Sequence, residues 1–111
     1  MKLMSEIRYR NYKAKIVKIS KKQAESGNMY GCYNPNTQTI SIQENLSKLI
    51  LLNTVLHEIG HFIADKSSIR LKNLGEEGTV TFVADEFSKI FLQNPELLNF
   101  IKRCTAKWKP F

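Results

Sequence analysis

Histidine and cysteine are scarce in this chain of 111 residues, which holds two of each. Cys32 and Cys104 form no Cys-x-x-Cys pair, so both are expected as reduced thiols rather than as a bridge. Long apolar runs are missing too. The longest, Leu49 to Leu52, is far too short to cross a bilayer. The opening residues MKLMSEIRYR lack the apolar stretch of a secretory signal, so the expectation is a protein that stays in the cytoplasm. Acid is in deficit: 10 Asp and Glu face 17 Lys and Arg, leaving a net charge of +7. Lys2, Arg8, Arg10, Lys13, Lys15, Lys18, Lys21 and Lys22 all fall in the first 22 residues, against Glu6 alone. A nucleic acid or an acidic protein could dock on such a stretch. With only Tyr9 and Tyr12 as interleaved aromatics, a solvated strand face is the preferred reading. There is no internal repeat and no low-complexity segment. A hydrophobic share of 42% with 24% charged residues excludes a disordered chain and suits one domain with a modest core.

What the chain does have is TVLHEIGHFI, Thr54 to Ile63, which contains His-Glu-x-x-His. On a helix, His57 and His61 stand one turn apart on one side, so two imidazoles can converge on a single ion such as Zn²⁺. Glu58, about 100° round the helix from His57, lies beside the pair as the candidate general base acting on the metal's water. Leu52, Val55, Leu56, Ile59 and Ile63 make an apolar stripe roughly opposite the histidines, and Gly60 leaves room for a second element.

This segment resembles the zincin metallopeptidases. Thr54, Val55, Ile59, Gly60, Phe62 and Ile63 fit the longer form of their signature. With GCYNPNTQTISI before it and EEGTVTFVADEFSKIFLQNPELL after it, the stretch from about Tyr30 to Leu98 is similar to small phage and prophage zincin-like proteins, distant relatives of the ImmA/IrrE metallopeptidase group. The resemblance implies a minimal α+β domain in which a small sheet with an antiparallel hairpin packs on an active-site helix and two further helices. It also places the strand Thr39 to Ile42 as the upper lip of the cleft, with a free edge for an extended peptide.

The local patterns agree with that class. KAKIVKIS, Lys13 to Ser20, alternates like a strand with one wet face, and Tyr30 to Ile42 reads as a hairpin turning at Asn34-Pro35-Asn36-Thr37. A short helical turn is possible over Lys22 to Ser26. Asn45 is expected to cap a helix from about Leu46 to Asp65. Lys66 to Gly75 is a connecting loop. A second helix runs from about Glu76 to Gln93 with Val80, Val83, Ala84, Phe87, Ile90 and Phe91 on one side, and Asn94 caps a third that starts at Pro95. Residues 1–12 and 105–111 are expected as loose termini unless Trp108 docks.

A catalytic zinc site usually has three protein ligands. With no third histidine, and with the metzincin extension failing at Ala64 and Ser67, the remaining ligand is a carboxylate. The resemblance sets Glu77 in that place. Helix register alone puts Glu76 nearer the centre of the stripe, so Glu76 is the alternative. Asp65 is expected as a hydrogen-bond acceptor behind an imidazole or as a surface acid, and Asp85 and Glu86 as solvated. Cys32 is a further candidate for a metal ligand or an inhibitory thiolate. Tyr30, Tyr33 and Arg70 are candidates for stabilising the oxyanion of a peptide substrate. The reading is a zinc metallopeptidase. Its rival is a non-catalytic, zinc-stabilised binding protein that grips a host protein or nucleic acid by its basic face.

Overall fold

The computed structural model describes residues 2–23, 30–67 and 73–109. Strands β1 (Glu6–Tyr9) and β2 (Tyr12–Ile19) form an antiparallel hairpin. β3 (Gly31–Asn34) and β4 (Thr39–Gln43) form a second, and β4 joins the first hairpin by pairing parallel to β2. The result is one mixed sheet in the order β1-β2-β4-β3. Helices α1 (Lys48–Ser67), α2 (Gly75–Gln93) and α3 (Pro95–Thr105) complete a small α+β domain. No described helix is long and apolar enough to cross a membrane.

Side chains alternate across a pleated strand, and here the alternation sorts the whole sheet. Ile7, Tyr9, Ala14, Ile16, Ile40 and Ile42 are buried on one face, with Tyr33 packed beside them. Against that face α1 lays Val55, Ile59, Phe62 and Ile63, and α3 adds Leu97, Phe100 and Cys104. α1 meets β3, β4 and α3, whereas α2 meets β1 and α3.

Several sequence expectations give way here. Residues 6–9 are not a loose terminus but an edge strand: Ile7 and Tyr9 alternate with Arg8 and Arg10, a pattern too short to stand out among so many charges. The free edge of β1 is closed by the α2–α3 junction. Arg8 donates its N–H to Asn94 Oδ1 at 2.8 Å, and Asn94 Nδ2 donates to Arg8 O at 2.7 Å. Gln93 treats the Arg10 backbone in the same way, at 2.8 and 3.1 Å. Asn94 therefore makes no side-chain cap on α3; it occupies an edge that would otherwise expose unpaired backbone groups. Asn45 is likewise not the cap of α1. It takes a left-handed conformation (φ 63°), and Ser47 caps instead, accepting from Ile50 N at Oγ and from Leu51 N at its carbonyl. Residues 22–23 are helical as anticipated, while the rest of that turn, 24–26, lies outside the described residues, as do residues 68–72 of the connecting loop.

The buried side of α2 keeps the second half of the expected stripe, with Ile90 buried and Phe87 and Phe91 packed against the core, but not the first: Val80 and Val83 are 58% and 46% exposed, and the other buried residue is Glu86. Glu86, expected in solvent, accepts hydrogen bonds from the Tyr9 hydroxyl, from Arg10 Nη2 at 2.9 Å and from Lys89 Nζ at 2.9 Å. Burial by itself raises its pKa, but the bonds from Tyr9, Lys89 and Arg10 outweigh burial and hold the carboxyl below its ordinary value. The Tyr9 phenol is pushed up to about 12, by burial first and by the Glu86 carboxylate second.

A folded-state pKa below the unfolded one stabilises the native state above the unfolded carboxylate pKa, and the gain is lost as pH falls through the folded value. Glu86→Gln is expected to cost about 1–3 kcal/mol at pH 7, below the usual loss for a broken buried pair because Arg10 and Lys89 are partly solvated. The difference between the two proteins in urea unfolding should shrink as the pH falls below the ordinary glutamate range, and it should vanish only once the native carboxyl itself takes up a proton.

Candidate metal centre

The site is built where α1 passes the sheet edge. Thr54, Glu58 and Phe62 share one flank of α1 and are buried, next to the stripe of Val55, Ile59 and Ile63. One step round the helix, His57 and His61 are exposed. Their Nε2 atoms approach to 3.1 Å, with ring centroids 4.7 Å apart and the rings inclined at 73°. Two nitrogens bound at roughly 2.0–2.1 Å to one tetrahedral ion lie about 3.3 Å apart, so the pair fits a zinc ion with only a slight opening. At 3.1 Å one neutral ring can also donate its Nε2–H to the other, a bond that an ion taking both lone pairs would replace.

Glu58 is 6% exposed, and its carboxylate makes no hydrogen bond to the described residues. It sits under β3 because residue 31 is glycine. A Cβ at Gly31 would come within 2.7 Å of Thr54 Cγ2, 3.0 Å of Ser41 O and 3.3 Å of Glu58 Cγ. Only a residue without a side chain lets this strand lie so close to the glutamate. The sequence signal was a glycine at the start of a strand, a position easily read as ordinary turn chemistry.

The histidines and Glu58 open into a cleft of about 450 Å³ whose other lining residues are Gly31, Cys32, Tyr33, Pro35 and Asp65. Its lip is β3, not the expected β4. β4 is paired on both sides, to β2 and to β3, so its backbone is consumed, while β3 is an edge of the sheet. Within β3, Gly31 and Tyr33 share register with the inward Ile42 and Ile40, and Cys32 pairs with Ser41 on the opposite face. Cys32 is an exposed, free thiol at the rim.

Tyr33 ties the lip to the helix. Its ring rests on Phe62, centroids 5.6 Å apart, and its hydroxyl donates to Asp65 Oδ2 at 2.7 Å. Burial, reinforced by that carboxylate, raises the phenol pKa well above the ordinary value, so the hydroxyl is a permanent donor. Asp65 thus serves a tyrosine, not an imidazole, and has Lys66 Nζ at 3.6 Å.

Glu76 and Glu77 are not brought to the histidines. Both are exposed in the first turn of α2, neither lines the cleft, and among the described residues no three His, Cys, Asp or Glu side chains are grouped closely enough to hold an ion. The reason lies in how α2 is anchored: Glu86 and Ile90 fix its second half to the β1 side, and the first half carries no fully buried residue. Nor does a second element among the described residues use the room expected at Gly60. A Cβ on Gly60 would meet nothing within 4 Å, and one on Gly78 would meet only Leu74 of its own turn. Asp85 is exposed as expected, Tyr30 is 53% exposed, and Arg70 lies outside the described residues. Set against family models, curated proteins and solved structures, the chain matches none of them.

Proposed function

We propose that this protein is a zincin-type, zinc-dependent metallopeptidase of the small phage-like kind, which hydrolyses a peptide bond in the cleft between β3 and α1. The observation that carries this reading is the 3.1 Å approach of the His57 and His61 Nε2 atoms beside a glutamate whose carboxylate has no other partner among the described residues. In this reading the two histidines hold the ion. A bound zinc ion supplies Lewis acidity, polarising a carbonyl and making a water acidic enough to lose a proton near neutral pH.

The remaining steps belong to the chain. Glu58 takes the proton from the attacking water and delivers it to the departing amine, work that suits a carboxylate sheltered from bulk solvent but open to the cleft. The β3 edge offers N–H and C=O groups to an extended peptide, so main-chain pairing can align the scissile bond along the cleft. Tyr33, held by Asp65 and Phe62, keeps β3 seated on α1.

The test is incubation of the zinc-loaded protein with a complex peptide library, with cleavage read by mass spectrometry. Cleavage at defined bonds that stops on chelation and returns with zinc is the expected result. A library left intact by a protein that has taken up zinc would contradict the enzymatic reading.

A further inference from the structure

We infer that the sheet face opposite the described helices is a docking surface for the phosphate backbone of double-stranded nucleic acid. This is independent of the peptidase reading and uses the other side of the molecule. The register fixes which residues share that face. Arg8 is directly opposite Lys13, Glu6 is opposite Lys15, and Lys15 is in turn beside Thr39, which faces Asn34. The described helices cover the face that carries Ile7, Ile16, Ile40 and Ile42, and on this one Arg8, Lys13 and Lys15 are all exposed.

The charge on it is unbalanced. Three cations meet one carboxylate, and Glu6 is already engaged with Arg8 at 3.1 Å. The ammonium groups of Lys13 and Lys15 have no ion-pair or hydrogen-bond partner among the described residues. Like charges directly opposite on an antiparallel pair destabilise the sheet, so Arg8 against Lys13 is an arrangement that an anion would relieve. Lys13 and Lys15 stand two residues apart on one side of β2, roughly 6.6 Å along the strand, a spacing comparable with that of successive phosphates. Ser41 and Asn34 on the neighbouring strands add a hydroxyl and an amide donor of the kind that commonly completes phosphate contacts.

Chemistry also selects the kind of nucleic acid. Tyr9 and Tyr33 are turned inward, and Tyr30, beside Gln43 at the far end of the strands from Lys13, is a single ring among the described residues, too little for a platform on which unstacked bases could rest. A row of cations and small donors suits the outside of a duplex, contacted without reading its sequence.

The experiment is fluorescence anisotropy of a labelled duplex titrated with the full chain at several salt concentrations from about 50 mM upward. Wild type is compared with Lys13→Ala/Lys15→Ala and with Lys102→Ala/Lys109→Ala, which removes equal charge away from the sheet. The expected result is salt-sensitive binding that the sheet variant weakens at least about tenfold, with a log–log salt slope reduced by about two. The control should change it less than about twofold, and Glu58→Gln should bind like wild type. Equal loss in both double variants, no binding at the lowest salt, tighter binding of the single strand, or equally effective competition by polyglutamate would each overturn the assignment. Thermal melting of each variant confirms that lost binding is not lost fold.

Discussion

Exchanging Glu58 for glutamine is expected to leave zinc uptake intact and to lower peptide hydrolysis by about 10²–10⁴-fold, the range in which a positioned acid–base group contributes. The substitution keeps size and shape in a site where the side chain is 6% exposed and Gly31 leaves no slack above it. It breaks no hydrogen bond within the described residues, so the fold has no reason to weaken. Rate measured at saturating zinc, alongside bound metal per chain, separates the outcomes. A variant that binds zinc and cleaves as well as wild type removes Glu58 from the chemistry. One that loses zinc shows the carboxylate to be a ligand rather than a base.

The second large effect is on stability. Phe62→Ala should cost about 3–5 kcal/mol, a substantial part of the roughly 5–15 kcal/mol that holds a domain of this size. Phe62 is fully buried where three parts of the molecule meet, with Tyr9 of β1 edge-on at 6.1 Å and Tyr33 of β3 tilted against it at 5.6 Å. Deleting the ring leaves a cavity that strands fixed in a sheet cannot collapse into. It also removes the seat of Tyr33, so the lip of the cleft should loosen together with the core. Denaturant unfolding measures the loss, and Phe62→Leu, which keeps most of the volume, should cost less than about 1.5 kcal/mol. Equal stability for wild type and the alanine variant would show that the core is not centred on this ring.

How much of this was legible follows from the range of each signal. Local patterns read well. The alternation in Lys13 to Ser20 became β2, the Asn34-Pro35 turn closed the β3–β4 hairpin, and His-Glu-x-x-His fell on one helix with both imidazoles meeting. What failed depended on partners distant in sequence. Nothing near Glu86 announces that Tyr9 and Arg10, more than seventy residues earlier, will gather round its carboxylate, so a glutamate on a helix was assigned to water. Glu86 and Ile90 together hold the second half of α2 on the core. Val80 and Val83 were left partly exposed, and the first-turn acids stood away from the histidines. The strand order was equally hidden, since a parallel β2–β4 pairing makes β3 the edge although β4 is nearer α1 in sequence. Asp65 was correctly placed on the histidine side of α1, but its partner proved to be a tyrosine on another element.

The most direct measurement is a zinc titration by calorimetry on wild type, His57→Ala and His61→Ala. One ion per chain in the wild type, with affinity falling at least about tenfold in each single variant, is the predicted result. Zinc bound equally well without either imidazole, or no zinc bound by the intact protein, would contradict a metal centre on α1.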